Sequence, residues 1–311
     1  MRLAGKPLLI IIGPTAVGKT GLAIEVAKRI HGEIISADSR QIYREMDIGT
    51  AKPTAEQQAS VPHHLINVVK PNENLSLADY QKLARSAIDE VHSKGLVPML
   101  VGGTGQYITA LVEGWSIPQV APDKALRAEL ELFAQQEGAA ALHNRLALID
   151  TRAAANIDYR NVRRVIRALE VCLVAGEPIS ELQRKQPPDY AMKHIGLTME
   201  RERLYQQADQ RVDLMMEEGF LQEVERLLDA GYSRKLPSMS GLGYAELTAH
   251  VLDNLPLEEA VVRTKHNTHD FIRRQYTWFR GHDPGILWHN IADNHVEIIF
   301  DIVDNWLKEL G

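Results

Sequence analysis

The chain has 311 residues, 45% hydrophobic and 24% charged, a balance that excludes a disordered or fibrous protein and suffices to bury a core. That length exceeds one average domain, so the expectation is two lobes, or one core carrying an insertion. A formal net charge of -6 excludes a uniformly basic surface, so a polyanionic partner would have to be met by local basic patches.

The only cysteine, Cys172, excludes an internal disulfide and any multi-cysteine zinc site and fits a reducing compartment. The opening residues MRLAGKPLLIII place basic residues before an apolar run, as a signal peptide does. The run is shorter than an h-region, though, and no small-residue cleavage site follows, so Leu8 to Ile12 read as a buried first strand. No apolar stretch approaches the length needed to cross a bilayer, and a cytoplasmic protein without membrane attachment is expected.

In chain order, LLIII (8–12), EIISA (33–37), HLINV (64–68) and VPMLV (97–101) are strand candidates, alternating with helices at 19–30 and 76–94. Ser76 suits the N-cap of the second helix and Gly95 its stop. This is the pattern of βαβ units around a mostly parallel sheet. From Ala125 to Glu181 the chain turns rich in Ala, Leu, Arg and Glu and reads as helical, bracketed by Pro118, Pro122 and Pro187-Pro188. A strand-like run HIGLTM (194–199) then rejoins the sheet, and the rest reads as mostly helices. The expected class is therefore α/β: a P-loop NTPase-like core over 1–118 and 182–311, interrupted by an all-helical insertion over 119–181.

Gly13, Pro14, Thr15, Ala16, Val17, Gly18, Lys19 and Thr20 match G-x-x-x-x-G-K-[ST] directly after a strand and before a helix. Glycines let backbone amides approach phosphate oxygens, the helix N-terminus adds partial positive charge, Lys19 neutralises phosphate and the Thr20 hydroxyl can ligate Mg²⁺. Phosphate binding follows; a nucleotide does not. ATP or GTP hydrolysis calls for an acidic residue at the end of an apolar strand, and VPMLVGGT ends instead in Gly102 and Gly103. The nearest carboxylate is Asp38, at the end of the second strand, where ligands of α/β sheets gather.

With GPTAVGKT, the runs ADSRQIYREMDIGTAKP (37–53), LVGGTGQY (100–107) and RRQYTWFR (273–280) resemble the motif series of the bacterial tRNA dimethylallyltransferases, or tRNA isopentenyltransferases. The likeness runs from the first strand to about residue 280, and DSRQIY with GTAKP is far more specific than the P-loop. The resemblance implies that the P-loop grips the diphosphate of dimethylallyl diphosphate. The acceptor would be the exocyclic amine of the adenosine 3′ of the anticodon, in the anticodon stem-loop of tRNAs reading UNN codons. It further implies Asp38 as general base, Lys19 and Thr20 as ligands of diphosphate and Mg²⁺, Arg211 on the diphosphate side and Thr104 near the reaction channel, touching tRNA. Arg127 and the stretch Arg163 to Arg167 fall where the family touches tRNA.

The residues admit bland readings too. Asp38 could hold Mg²⁺ through water or cap the turn before SRQIY, and Arg211 could be a solvated arginine paired with Asp209 or Asp213. An adenosine must leave its stack to reach a buried electrophile, and Ser39, Arg40 and Gln41, beside Asp38, are placed to read it, although Gln41 could equally be an ordinary surface residue. Arg160, Arg163, Arg164 and Arg167 stand at i, i+3, i+4 and i+7, along one helical face. Such a row fits an RNA backbone or, alternatively, a network with Asp158 and Glu170. Arg273, Arg274 and Gln275 are counted on the RNA side, while Trp278 and Phe279 serve as stacking platform or core. His269, Phe271 and Ser240 depart from residues usual in the family. The histidine pairs His63-His64 and His266/His269 lack the companion ligands of a zinc site. A monomer is expected. The rival reading is a small-molecule kinase using ATP at the same loop.

Overall fold

The computed structural model describes residues 5–282, 286–291 and 296–311. Its sheet has six strands: β1 (Pro7–Ile12), β2 (Gly32–Ala37), β3 (His63–His64), β4 (Val97–Gly102), β5 (Ala191–Thr198) and β6 (Trp288–Asn290), in the order β3-β2-β4-β1-β5-β6. Every pairing between them is parallel. Parallel strands covered on both faces must be apolar throughout, and β1, β2 and β4 are buried along their whole lengths. Because β4 lies between β1 and β2, the chain skips a strand on leaving β1. That leaves a crevice at the carboxyl ends, where the P-loop emerges.

The chain divides into two units, Met1–Leu111 with Asp189–Gly311, and Val112–Pro188. The second extends beyond the 119–181 segment expected from composition. An antiparallel bridge between Trp115 and Lys185, with Gln186 donating its N–H to the Gly114 carbonyl at 2.9 Å, ties its two ends together. In the first unit, the helix Lys19–Ile30 packs Leu22, Ala23 and Val26 against Leu9, Ile11 and Met99 of the sheet. The helix Leu77–Ser93 starts at Ser76, whose side chain and that of Asp79 cap each other's backbone N–H groups, as the sequence suggests.

HLINV behaves differently from its expected strand. Only His64 of the run pairs, beside His63, because Leu65 and Asn67 adopt left-handed φ values of 63° and 58° that break the pleat. The Asn67 carbonyl accepts from Arg44 Nε at 2.9 Å and its side chain from Lys52 Nζ at 2.7 Å, so tertiary bonds offset the strain. β6 has no sequence signal: three residues pair with Gly196 to Thr198 on the sheet edge.

The second unit is helical, with Leu130, Leu142, Leu146, Val165 and Leu169 fully buried at its centre. Its arginines divide. Arg160 precedes the helix Val162–Ala175, so the four-arginine row is not one helical face, and Arg160 is paired with Asp158 at 2.5 Å. Arg163 and Arg164 are exposed on that helix. Glu170, with no exposed surface, accepts from Arg127 Nε at 2.7 Å, Arg167 Nη1 at 2.6 Å and the Asp123 N–H at 2.8 Å. Burial pushes its carboxyl up, but the bonds from Arg127, Arg167 and Asp123 outweigh that and hold it at about 2, against an ordinary 4.5.

A depressed carboxyl pKa contributes stability that is complete above the unfolded value and lost as pH falls toward the folded one. Thermal unfolding should therefore show a loss of stability between about pH 4.5 and 2 that shrinks in Glu170→Gln. Equal slopes in the two proteins would contradict the assignment.

Candidate active site

The P-loop leaves β1 with Gly13 and reaches the helix Lys19–Ile30 through Gly18, whose φ of 91° is the left-handed turn that aims the following N–H groups outward. No acidic residue occupies that helix's first turn, so its positive end is uncompensated from within. Lys19 Nζ folds back onto the Pro14 carbonyl at 2.7 Å. Burial depresses its pKa to about 8, with Asp38 pulling it up and Arg211 pushing it further down.

Arg211 comes from the helix Arg201–Glu217 and donates from Nη2 to Thr15 Oγ1 at 2.5 Å, while its Nε is buried without a hydrogen-bond partner. Burial lowers its pKa as well, and Asp38 raises it. The alternative partners suggested by sequence are engaged elsewhere: Asp209 with His269 at 2.8 Å, and Asp213 with Lys265 at 2.7 Å. Arg211 is thus turned inward onto the loop. Two half-buried cations lining one cavity with a single carboxylate make a place for an anion.

Asp38 follows β2. Its Oδ1 accepts the N–H groups of Arg40 at 2.8 Å and Gln41 at 3.4 Å, a local turn that fixes the carboxylate's orientation. Thr104, just after β4, donates its N–H to the Ala37 carbonyl at 3.1 Å and accepts the Ser39 N–H on Oγ1 at 3.0 Å, locking the two strand ends together. Gln41 is spanned between Ser36 Oγ and the Ala51 carbonyl, at 3.0 and 3.2 Å, so its amide shapes the cavity wall. Arg40 reaches over to the Pro237 carbonyl at 2.7 Å.

One cavity joins these groups. Thr15, Lys19, Thr20, Asp38, Gln41 and Arg211 line it together with the apolar Ala23, Ile34, Ala51, Pro53 and Val101. A second cleft, bordered by Ala16, Gly18, Gln207 and Gln210, shares Lys19, Thr20 and Arg211 with the first. The arrangement offers cations for a phosphate group in a cavity whose wall also includes the apolar Ala23, Ile34, Ala51, Pro53 and Val101. Among the described residues no group of three or more His, Cys, Asp or Glu could hold a metal by itself. That donor set fits Mg²⁺ arriving with phosphate oxygens, since Mg²⁺ keeps waters and takes few protein ligands, and Thr20 and Asp38 line the same space.

The run 273–280 does not act as a unit. Arg273 and Arg274 are exposed, the first paired with Asp270 and the second over the Phe271 ring at 5.7 Å. Gln275, expected among the RNA-facing residues, is 6% exposed and turned into the core. The helix Leu257–His282 buries Thr264, Thr268, Ile272, Gln275 and Phe279, a helical spacing that would have marked Gln275 as inward-facing. Sequence reasoning also missed Thr50 and His63 as lining residues, the first within GTAKP and the second carrying no local signal.

The profile of the family described as IPP transferase matches residues 41–282. A tRNA dimethylallyltransferase of Roseiflexus sp. (strain RS-1) is 54% identical over 274 residues, 88% of this chain and 90% of that one. The corresponding protein of Dehalococcoides mccartyi is 45% identical over 98% of this chain and 94% of its own. Among solved structures, the tRNA isopentenylpyrophosphate transferase of Bacillus halodurans superposes with a TM-score of 0.73 at 42% identity, covering 98% of both chains. A eukaryotic dimethylallyltransferase captured acting on tRNA gives a TM-score of 0.83 at 26% identity, over 97% of this chain and 80% of that one.

Anion binding at this site favours the cationic form of Lys19. Affinity for inorganic pyrophosphate should accordingly be highest below about pH 8 and fall as pH rises through that value, with proton uptake on binding above it. Calorimetric titration across this range checks it; the same dependence in Lys19→Met would assign the titration to another group.

Proposed function

The chain belongs to the IPP transferase family, and from that premise we propose that it transfers a dimethylallyl group from dimethylallyl diphosphate to the exocyclic amine of the adenosine 3′ of the anticodon in tRNAs reading UNN codons, releasing diphosphate. The observation that carries the reading is the shared cavity, lined at once by P-loop residues with the cations Lys19 and Arg211, by the carboxylate of Asp38 and by the apolar Ala23, Ile34 and Val101.

The reaction exchanges one bond for another. The allylic C–O bond breaks with its electron pair leaving on diphosphate, a C–N bond forms to the adenosine, and the amine's proton is taken up by a base. Negative charge grows on the departing oxygen, so catalysis depends on fixed cations and dipoles aimed there. Lys19, the Arg211 guanidinium and the helix N-terminus supply them. Thr20, with Asp38 nearby, would hold Mg²⁺, whose charge further neutralises diphosphate when bound. Asp38 is the proton acceptor: its carboxylate lines the cavity and its orientation is fixed by the Arg40 and Gln41 N–H groups. The part of the cavity wall that includes Ala23, Ile34 and Val101 is the place for the isoprenyl chain.

Each unit, taken by itself, carries residues suited to RNA. Ser39 and Thr104 flank Asp38, while Arg163, Arg164, Arg273 and Arg274 present exposed guanidinium groups suited to phosphate. Arg127 and Arg167 keep over a third of their side-chain surface exposed although both hold Glu170, so their outer edges remain available to an RNA backbone. Among the described residues no helix is long and apolar enough to cross a membrane, and a tRNA substrate favours a cytoplasmic protein.

Purified protein with Mg²⁺, dimethylallyl diphosphate and unmodified tRNA should release diphosphate and label the RNA. Consumption of ATP with indifference to the prenyl donor would establish the kinase reading instead. Asp38→Ala should lower kcat by at least ~100-fold with little change in tRNA affinity, the scale of a lost general base; an unchanged rate removes Asp38 from that role.

A further inference from the structure

The motif RRQ reads as three polar residues of one kind, yet the structure separates the last from the first two. Gln275 accepts the Thr15 N–H on Oε1 at 2.8 Å and donates from Nε2 to the Gly103 carbonyl at 2.9 Å. Both partners lie more than 170 residues away in sequence, one in the P-loop and one in the turn after β4. The fit leaves no slack: a Cβ on Gly103 would lie 2.3 Å from Gln275 Nε2, and one on Gly105 would lie 2.1 Å from Trp278 Cδ1. Two glycines of the GGTG run are therefore there because the helix Leu257–His282 presses Gln275 and Trp278 onto that turn.

We infer that Gln275 is a positioning residue that couples the loop gripping the leaving group to the turn that holds the acceptor side of the site. On one side Thr15 is fixed twice, through its N–H by Gln275 and through its hydroxyl by Arg211. On the other, Gly103 leads directly to Thr104, which binds the Ser39 N–H next to the carboxylate of Asp38. Gln275 thus closes a chain of contacts from the diphosphate cradle to the base. A displacement needs donor and acceptor held in register to a fraction of an ångström, and a buried amide that donates to one wall while accepting from the other is suited to set that spacing. Neither a carboxylate nor an ammonium of similar length does both. It also commits the Thr15 amide, so the remaining loop amides form the phosphate cradle.

The inference rests on the prenyl-transfer reading of the site, and its test separates the two. Gln275→Met keeps the volume and removes both bonds. Binding of inorganic pyrophosphate with Mg²⁺, measured by calorimetry, should weaken about tenfold, the scale of losing a buried hydrogen-bonded anchor. The KM for tRNA should stay within about twofold, because no transition-state or ground-state contact to RNA has been removed. Arg274→Ala should give the reverse pattern. Should Gln275→Met fail to fold, Gln275→Asn, too short to bridge both partners, is read in the same way. A raised tRNA KM with unchanged pyrophosphate affinity would make Gln275 an RNA contact, and a lowered Tm with unchanged affinity would make it a fold element only; either overturns the inference. Wild-type protein that binds no pyrophosphate would remove the diphosphate reading of the loop and this inference with it.

Discussion

Lys19 and Arg211 are half-buried cations that line one cavity with a single carboxylate, Asp38, and the rest of the site is arranged around that imbalance. A charge taken out of water must find a partner or lose its proton, and here burial already pulls Lys19 down to about 8. In the proposed reaction a diphosphate supplies the missing negative charge, and the same charges that bind it stabilise it as it departs. The P-loop is often associated with nucleotides, but nothing in its chemistry requires one. Amides and a lysine of this kind suit phosphate, and on the proposed reading the cavity wall that includes Ala23, Ile34 and Val101 selects what the phosphate carries.

The fold serves this imbalance by bringing distant segments to the carboxyl ends of neighbouring strands. β1 delivers the P-loop, β2 delivers Asp38 and β4 delivers the Gly103-Thr104 turn, while the helices Arg201–Glu217 and Leu257–His282 close over them with Arg211 and Gln275. A buried glutamate does similar work elsewhere in the first unit. Glu223 accepts the N–H groups of Asp47, Ile48 and Gly49 and the Tyr244 hydroxyl, holding the loop whose Thr50, Ala51 and Pro53 form the cavity wall. In the second unit Glu170 gathers Arg127 and Arg167. In each case a carboxylate with at most 1% exposure holds several donors in fixed positions.

Much of this was legible in the sequence because it depends on local chemistry. Strands β1, β2 and β4 are continuous apolar runs, the capping residues announced the helix after Ser76, and the P-loop pattern needs only its flanking strand and helix. What the sequence did not show depends on contacts across the chain. HLINV has the composition of a strand, but left-handed Leu65 and Asn67 are held by bonds to Arg44 and Lys52 that no window of five residues contains. Arg211 looks like a solvated helix arginine until Asp209 and Asp213 are seen to pair with His269 and Lys265. Gln275 follows two arginines and shares their polarity, yet the period of its helix buries it. The row of four arginines fails for a smaller reason: the helix begins at Val162, two residues after Arg160.

A crystal structure of the protein with Mg²⁺ and an unreactive thiolo analogue of dimethylallyl diphosphate bears most directly on the claim that this loop grips an isoprenoid's diphosphate. The expected result is diphosphate density within Gly13–Thr20, touching Lys19 and Arg211, with the five-carbon chain along the cavity wall that includes Ala23, Ile34 and Val101. Density for the analogue elsewhere, with the loop free to accept ATP in a productive pose, would contradict it.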